Sequence, residues 1–233
     1  MTRRLGLALL LVALLAPAPL RAQLVALDTS DGAARFQRAT GGPQALGLLA
    51  NLETEVFLTF CGPASLATAL NSLGIREPAP AAFFPYRRMT QDSLFTPANL
   101  AVKSYAAVQG GGLTLDQLAA FARNLGASAE ALHADALDVT TLRARISAAL
   151  ADPSSRVIVN YSRIPLDQEG DGHISPVAAF DAASDTVLIL DVARYKYPPV
   201  WVPVATLLPA MQRVDPDSGR ARGVLVLSVR RPQ

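Results

Sequence analysis

The stretch Thr59-Phe60-Cys61-Gly62-Pro63-Ala64-Ser65-Leu66-Ala67-Thr68-Ala69-Leu70-Asn71-Ser72-Leu73-Gly74 sets the only cysteine of this 233-residue chain directly before a helix. Gly62 and Pro63 suit first helical positions, and Leu66, Ala69, Leu70 and Leu73 recur on one face. Gly74 is a stop signal. A thiol at that point meets unpaired backbone N–H groups and the positive end of the helix dipole, which favour the thiolate, the reactive form in cysteine chemistry. A lone cysteine is more often a small buried hydrophobe. It excludes an internal disulfide and a zinc site built on cysteines.

Working outward, residues 23–50 carry turn formers (Asp31-Gly32, Gly41-Gly42-Pro43) and predict an extended segment with one short helical stretch. Residues 76–98, rich in Pro and aromatics, predict a loop with short helical pieces. A second helix is expected from the N-cap Thr114 through Leu115, Leu118 and Phe121 to Leu125, ended by Gly126, and a third from about Thr140 to Leu150. Beyond these, Arg156–Tyr161, His173–Phe180, Val187–Asp191 and Gly223–Val229 read as strands of an antiparallel sheet, with turns at Asp181–Asp185 and Asp215–Gly219. The pattern is one α+β domain, helical in its first half and sheet in its second.

Only two histidines exist. His133 lies in Glu130-Ala131-Leu132-His133-Ala134-Asp135, an ordinary partly exposed segment. His173 lies in Gly170-Asp171-Gly172-His173-Ile174-Ser175-Pro176, where flanking glycines let backbone approach a ligand closely. A hairpin from His173 returns to Asp191, so both fall at one end of neighbouring strands. Cys61, His173 and Asp191 then supply a nucleophile, a base and a carboxylate that orients the imidazole. A carboxylate after the apolar run Val187–Leu190 needs a partner; a salt bridge to Arg194 or a turn cap is the plain alternative to the triad role.

Residues 1–22 read as a signal peptide: Arg3 and Arg4, the apolar run Leu5–Leu15, then Pro17, Pro19 and the small residue Ala22. Residues 23–233 form the catalytic domain, and the expected location is periplasmic or secreted. Of 21 basic side chains, Arg3, Arg4 and Arg21 lie in the leader, which leaves 18 against 19 acidic ones. No basic patch with interleaved aromatics occurs, so nucleic acid is an unsupported partner. No cofactor and no metal ligands are assigned.

Thr59-Phe60-Cys61-Gly62, Gly170–Pro176 and Leu188-Ile189-Leu190-Asp191-Val192-Ala193-Arg194-Tyr195-Lys196-Tyr197-Pro198-Pro199-Val200-Trp201-Val202 resemble, in order and separation, the catalytic domain of phytochelatin synthase. The resemblance spans about residues 30–230. It implies a papain-like cysteine peptidase fold in which the cysteine attacks glutathione at its Cys–Gly bond. Glycine leaves, and the γ-glutamylcysteinyl acyl-enzyme passes its acyl group to water or to a second glutathione. Asp215-Pro216-Asp217-Ser218-Gly219-Arg220-Ala221-Arg222-Gly223 is similar to the family's segment that shapes the substrate site, which carries over as Asp215 and Arg222. Gly172 and Arg194 are further substrate-binding candidates. Partners to test are glutathione, its metal–thiolate complexes and a second copy of the chain.

The sequence departs from the family twice. Eukaryotic members carry an additional cysteine-rich C-terminal region, whereas this chain has one cysteine and resembles short bacterial members, for which hydrolysis is the expected main activity, with weak transpeptidation to phytochelatins. The family also places a Gln six residues before the cysteine as an oxyanion donor. Here that position is Glu55, and no Gln occurs in residues 45–60. An ionised carboxylate cannot donate; holding it neutral at pH 7 requires a pKa raised by roughly three units, about 4 kcal/mol. Otherwise it faces away. Two other readings stay open: a bacteriocin-leader-type peptidase, to which Cys61-Gly62-Pro63-Ala64 is also similar, and a catalytically silent thiol-peptide or metal-binding protein.

Overall fold

A computed structural model describes residues 24–229, so the expected leader lies outside the described residues. The chain enters as a two-residue strand, β1 (Val25–Ala26), followed by α1 (Ser30–Arg38) and α2 (Gly42–Ala50). Two helices thus replace the predicted extended segment with one helical stretch, and both have local causes. Thr29 Oγ1 accepts from the Gly32 N–H at 3.0 Å, and Arg35 pairs with Asp31 one turn back. Gly41, at φ 104°, turns the chain so that Pro43 falls in the first turn of α2.

Next come α3 (Cys61–Ser72), 3-10 turns at Ala81–Phe83 and Asp92–Leu94 within the expected loop, α4 (Pro97–Val102), α5 (Tyr105–Gly111) and α6 (Leu115–Asn124). Thr114 and Gln117 close a capping box on α6. The remaining order is β2 (Ala127–His133), α7 (Val139–Ala151), β3 (Ser155–Ser162), β4 (Gly172–Asp181), β5 (Thr186–Ile189), β6 (Val200–Pro203), α8 (Val204–Gln212), the small hairpin β7 (Val214–Asp215) and β8 (Arg220–Ala221), and β9 (Gly223–Val229). Among the described residues no helix is long and apolar enough to cross a membrane.

Seven strands form one antiparallel sheet in the order β1-β6-β5-β4-β3-β9-β2. The α+β class holds, but the division into halves does not: β1 and β2 supply the two sheet edges, and α8 interrupts the late strands. The strand β2, Ala-Ser-Ala-Glu-Ala-Leu-His, lacks the β-branched residues that signal strands, and Pro209 inside α8 hides a helix. His133 is buried, not partly exposed; its Nδ1 lies 2.6 Å from the Ala221 carbonyl and its Nε2 3.2 Å from Asp116.

Side-chain alternation divides the core between the two faces of the sheet. Val157, Val159, Val177 and Val224 pack with Leu142 and Ile146 of α7 and Leu207 and Met211 of α8. Ile158, Ile174, Leu225 and Leu227 pack with Leu66 and Leu70 of α3 and Leu118 and Phe121 of α6. Every residue of α3 from Cys61 to Asn71 is buried. Its polar side chains are therefore bonded: Ser65 donates to the Ile174 carbonyl at 2.9 Å, Thr68 accepts from the Glu53 N–H at 3.0 Å, and Asn71 exchanges two hydrogen bonds with the Met89 backbone.

Candidate active site

Cys61 is the first residue of α3, with Phe60 as N-cap. The Ser65–Ile174 bond, one turn on, anchors that helix to β4 beside His173. A carboxylate oxygen of Glu55, Sγ of Cys61 and a ring nitrogen of His173 all lie within 4.8 Å of one another, and all three residues are buried. His173 Nε2 stands 2.9 Å from Asp191 Oδ1 and 2.9 Å from Ser175 Oγ, which leaves Nδ1 to face the thiol. Asp191 lies just past the end of β5, so β4 and β5 bring base and carboxylate to one end of the sheet as the hairpin reading expected.

The partner of Asp191 is not Arg194, which is exposed, but Arg163. Arg163 Nη2 donates to Asp191 Oδ1 at 3.0 Å, and the Ala193 N–H donates to the same oxygen at 2.9 Å. Nη1 lies 2.8 Å from Oδ2 but off line for a hydrogen bond, so that contact is electrostatic. Nη1 also donates to Gln168 Oε1 at 2.8 Å, and the guanidinium sits 4.8 Å from the centre of the Tyr197 ring. Burial alone would raise the Asp191 carboxyl; His173 and Arg163 hold it well below the usual range instead.

The surroundings of the Cys61 thiol oppose its ionisation. Burial first, and the Glu55 carboxylate second, push it up to about 12, against backbone N–H groups of Ile174 and Gly62 that favour the thiolate. Burial also pushes the His173 imidazole down, with Asp191 opposing. Desolvation thus acts against the thiolate that the backbone N–H groups at the helix terminus favour. Both shifts favour the neutral thiol and imidazole over the ion pair, and His173 is placed to take the Cys61 proton as sulfur attacks.

Glu55 does not face away. The residue is 7% exposed, and four tethers fix its segment. Thr68 holds the Glu53 N–H, Gln91 accepts from the Val56 N–H at 3.1 Å and donates to the Thr54 carbonyl at 2.8 Å, and the Glu55 N–H donates to Val192 at 3.0 Å. Tyr195 donates to Oε1 at 2.5 Å, while Oε2 is buried with no partner. Burial raises the Glu55 carboxyl, with Tyr195 opposing.

An open cleft lies beside the thiol, lined by Cys61, Leu113, Asn160, His173, Asp215 and Arg222 among others. Gly172 lines it too, and a Cβ there would stand 3.0 Å from Arg222 Nη2, so the guanidinium packs closely over the glycine. Arg222 is 3% exposed; Nη1 donates to the Arg213 and Val214 carbonyls, and Nη2 pairs with Asp171 at 3.6 Å. Asp215 sits half-buried on the β7–β8 hairpin, its Oδ1 accepting from the Asp217 N–H at 3.1 Å. Cys61, His173, Gly172, Asp215 and Arg222 are thus gathered around one cleft; Arg194 is outside its lining.

Sequence reasoning gave no role to Arg163, Ser175 or Tyr195. Ser175 had a signal, because residues two apart on a strand share a face with His173. Arg163 and Tyr195 reach the site across loops, and nothing local marks them.

The family model that matches the chain is that of phytochelatin synthase, over residues 15–224. Curated relatives include glutathione gamma-glutamylcysteinyltransferase 3 of Lotus japonicus, 35% identical over 78% of this chain and 36% of its own length. Glutathione gamma-glutamylcysteinyltransferase 2 of Arabidopsis thaliana is 34% identical over 78% of this chain and 39% of its own. Glutathione gamma-glutamylcysteinyltransferase 1 of Triticum aestivum is 32% identical over 88% and 41%. The chain spans well under half the length of these relatives.

Proposed function

The chain belongs to the phytochelatin synthase family, and we propose that it is an exported thiol enzyme, papain-like in design, that cleaves the Cys–Gly bond of glutathione through an acyl-enzyme on Cys61. The observation that carries the reading is the meeting of Cys61, His173 and the Asp215–Arg222 pair in one cleft. A γ-glutamyl group presents an α-carboxylate and an α-amino group. The planar fork of Arg222 suits the first and Asp215 the second. Neither is saturated by the other: Arg222 pairs with Asp171, itself half exposed.

In the proposed cycle His173 Nδ1 takes the Cys61 proton as sulfur adds to the carbonyl carbon of the Cys–Gly bond. Asp191, held by Arg163, steadies the imidazolium. Collapse breaks the C–N bond, and the imidazolium returns its proton to the departing glycine. The resulting thioester is attacked by water, giving γ-glutamylcysteine, or by the amine of a second glutathione, giving the longer peptide. Hydrolysis is the main outcome. The Cys61 and Gly62 region at the start of α3 offers backbone donors for the oxyanion; Glu55, where ionised, opposes it.

Glycine release from glutathione by the mature protein tests the reading. Release that is lost in Cys61→Ala, with a γ-glutamylcysteinyl adduct on Cys61 by mass spectrometry, is the expected result. No release from wild type, or equal release from Cys61→Ala, overturns it. Localisation is tested separately, by cell fractionation of the full chain.

A further inference from the structure

We infer that Glu55, Cys61 and His173 form a binding site for one divalent cation of the zinc type. The donors are a thiolate, an imidazole and a carboxylate, which together select a borderline-soft divalent ion over calcium or magnesium. Their ligand atoms already lie within 4.8 Å of one another. Around a tetrahedral ion with bonds of about 2.0–2.3 Å, neighbouring ligand atoms stand about 3.3–3.5 Å apart. Each pair must close by no more than about 1.5 Å, which side-chain rotation supplies.

An independent observation points to the same occupant. Glu55 Oε2 is buried without a partner in a residue only 7% exposed. A buried carboxylate oxygen left unpaired is costly, and an amide at this position would leave no such vacancy for a cation. The surrounding shell also has the form that metal sites use. His173 has its far nitrogen against the Asp191 carboxylate at 2.9 Å, and Glu55 has its other oxygen held by the Tyr195 hydroxyl. Charge agrees too: Arg163 is compensated by Asp191 at 2.8 Å, so a thiolate and a carboxylate remain to neutralise two positive charges.

Binding exchanges the thiol proton, released to solvent, for a metal–sulfur bond, with no change of oxidation state. Three protein ligands leave a fourth position for water on the cleft side. The bound ion caps the nucleophile, so the metal-loaded protein is blocked toward thiol chemistry until the ion leaves. The inference shares Cys61 and His173 with the glutathione reading but does not require turnover.

The test is equilibrium binding of zinc to the full chain by competition with a chromogenic chelator, with cobalt(II) as a spectroscopic substitute. Wild type should take up one ion per chain and show thiolate-to-cobalt charge transfer. Cys61→Ser should abolish the charge-transfer band. Glu55→Gln, which keeps size and shape, should weaken zinc binding at least about tenfold, the low end of what even an outer-shell partner costs, with an unchanged circular dichroism spectrum. Absence of binding, or affinity unaltered in both variants, overturns the inference. Glycine release from chelator-treated protein reports on the glutathione reading alone, so the two fail separately.

Discussion

Glu55→Gln should accelerate the proposed acylation. Tyr195 donates to Oε1; in the variant the amide oxygen accepts that bond, so Nε2 takes the place of the partnerless Oε2. A repelling oxygen becomes a donor at the oxyanion position. Two estimates of the gain agree. One oxyanion donor is worth about 10²–10³ in rate, or about 2.7–4 kcal/mol. An ionised carboxylate within 4.8 Å of the sulfur opposes a developing unit charge by roughly 3 kcal/mol at an effective dielectric of about 20. The gain should fall on kcat, since the interaction exists only with the transition state. The assay is glycine release at saturating glutathione from chelator-treated protein, with iodoacetamide alkylation of Cys61 as a substrate-free check. Removing the carboxylate that helps push the thiol up to about 12 should speed alkylation at fixed pH. A folded Glu55→Gln protein no faster than wild type in either assay refutes the reasoning.

The other predictions concern the supports of the site. Asp191→Ala strands the buried Arg163 guanidinium, and should cost about 3–5 kcal/mol of stability by urea unfolding, as well as activity. The Asp191 carboxyl is held below its usual value, so its contribution is complete above the unfolded pKa of about 3.9 and is lost as pH falls through the lower native value. Wild type should weaken below about pH 4 and Asp191→Asn should not share that loss. Arg222→Met should raise KM for glutathione about 10–100-fold, the worth of a hydrogen bond to a charged group, with a smaller effect on kcat; an unchanged KM would remove Arg222 from the substrate site. Ser65→Ala leaves the Ile174 carbonyl unpaired in the core and should cost about 1–3 kcal/mol, measured by thermal unfolding.

The parts of the site that lie in continuous pattern were readable. Cys61 before an apolar helix, His173 between glycines and Asp191 after an apolar strand each announce themselves within a few residues, and one hairpin joins the last two. The strand β2 and the helix α8 were not readable, because small residues in one and Pro209 in the other suppress the local signal while tertiary packing supplies the stability. A salt bridge to Arg194 or a turn cap is the plain alternative that the sequence offers for Asp191. Arg163, 28 residues away, follows the end of β3, and its guanidinium reaches Asp191 buried against Gln168 and the Tyr197 ring.

Glu55 shows the same limit from the other side. Spacing from Cys61 identified the position, but the consequence of a carboxylate there depends on whether it can turn away. That is decided by Thr68, Gln91 and Val192, which hold Glu53, Thr54, Glu55 and Val56 by their backbone groups. A free loop would let the carboxylate swing to solvent and lose its charge effect by screening. Held in place, it can only be protonated, paired or repelling, and each state has a distinct reader: the proton permits donation, a cation closes the site, and bare charge slows the thiol. A single oxygen atom in place of an amide nitrogen is therefore enough to make the nucleophile's availability depend on what occupies Glu55.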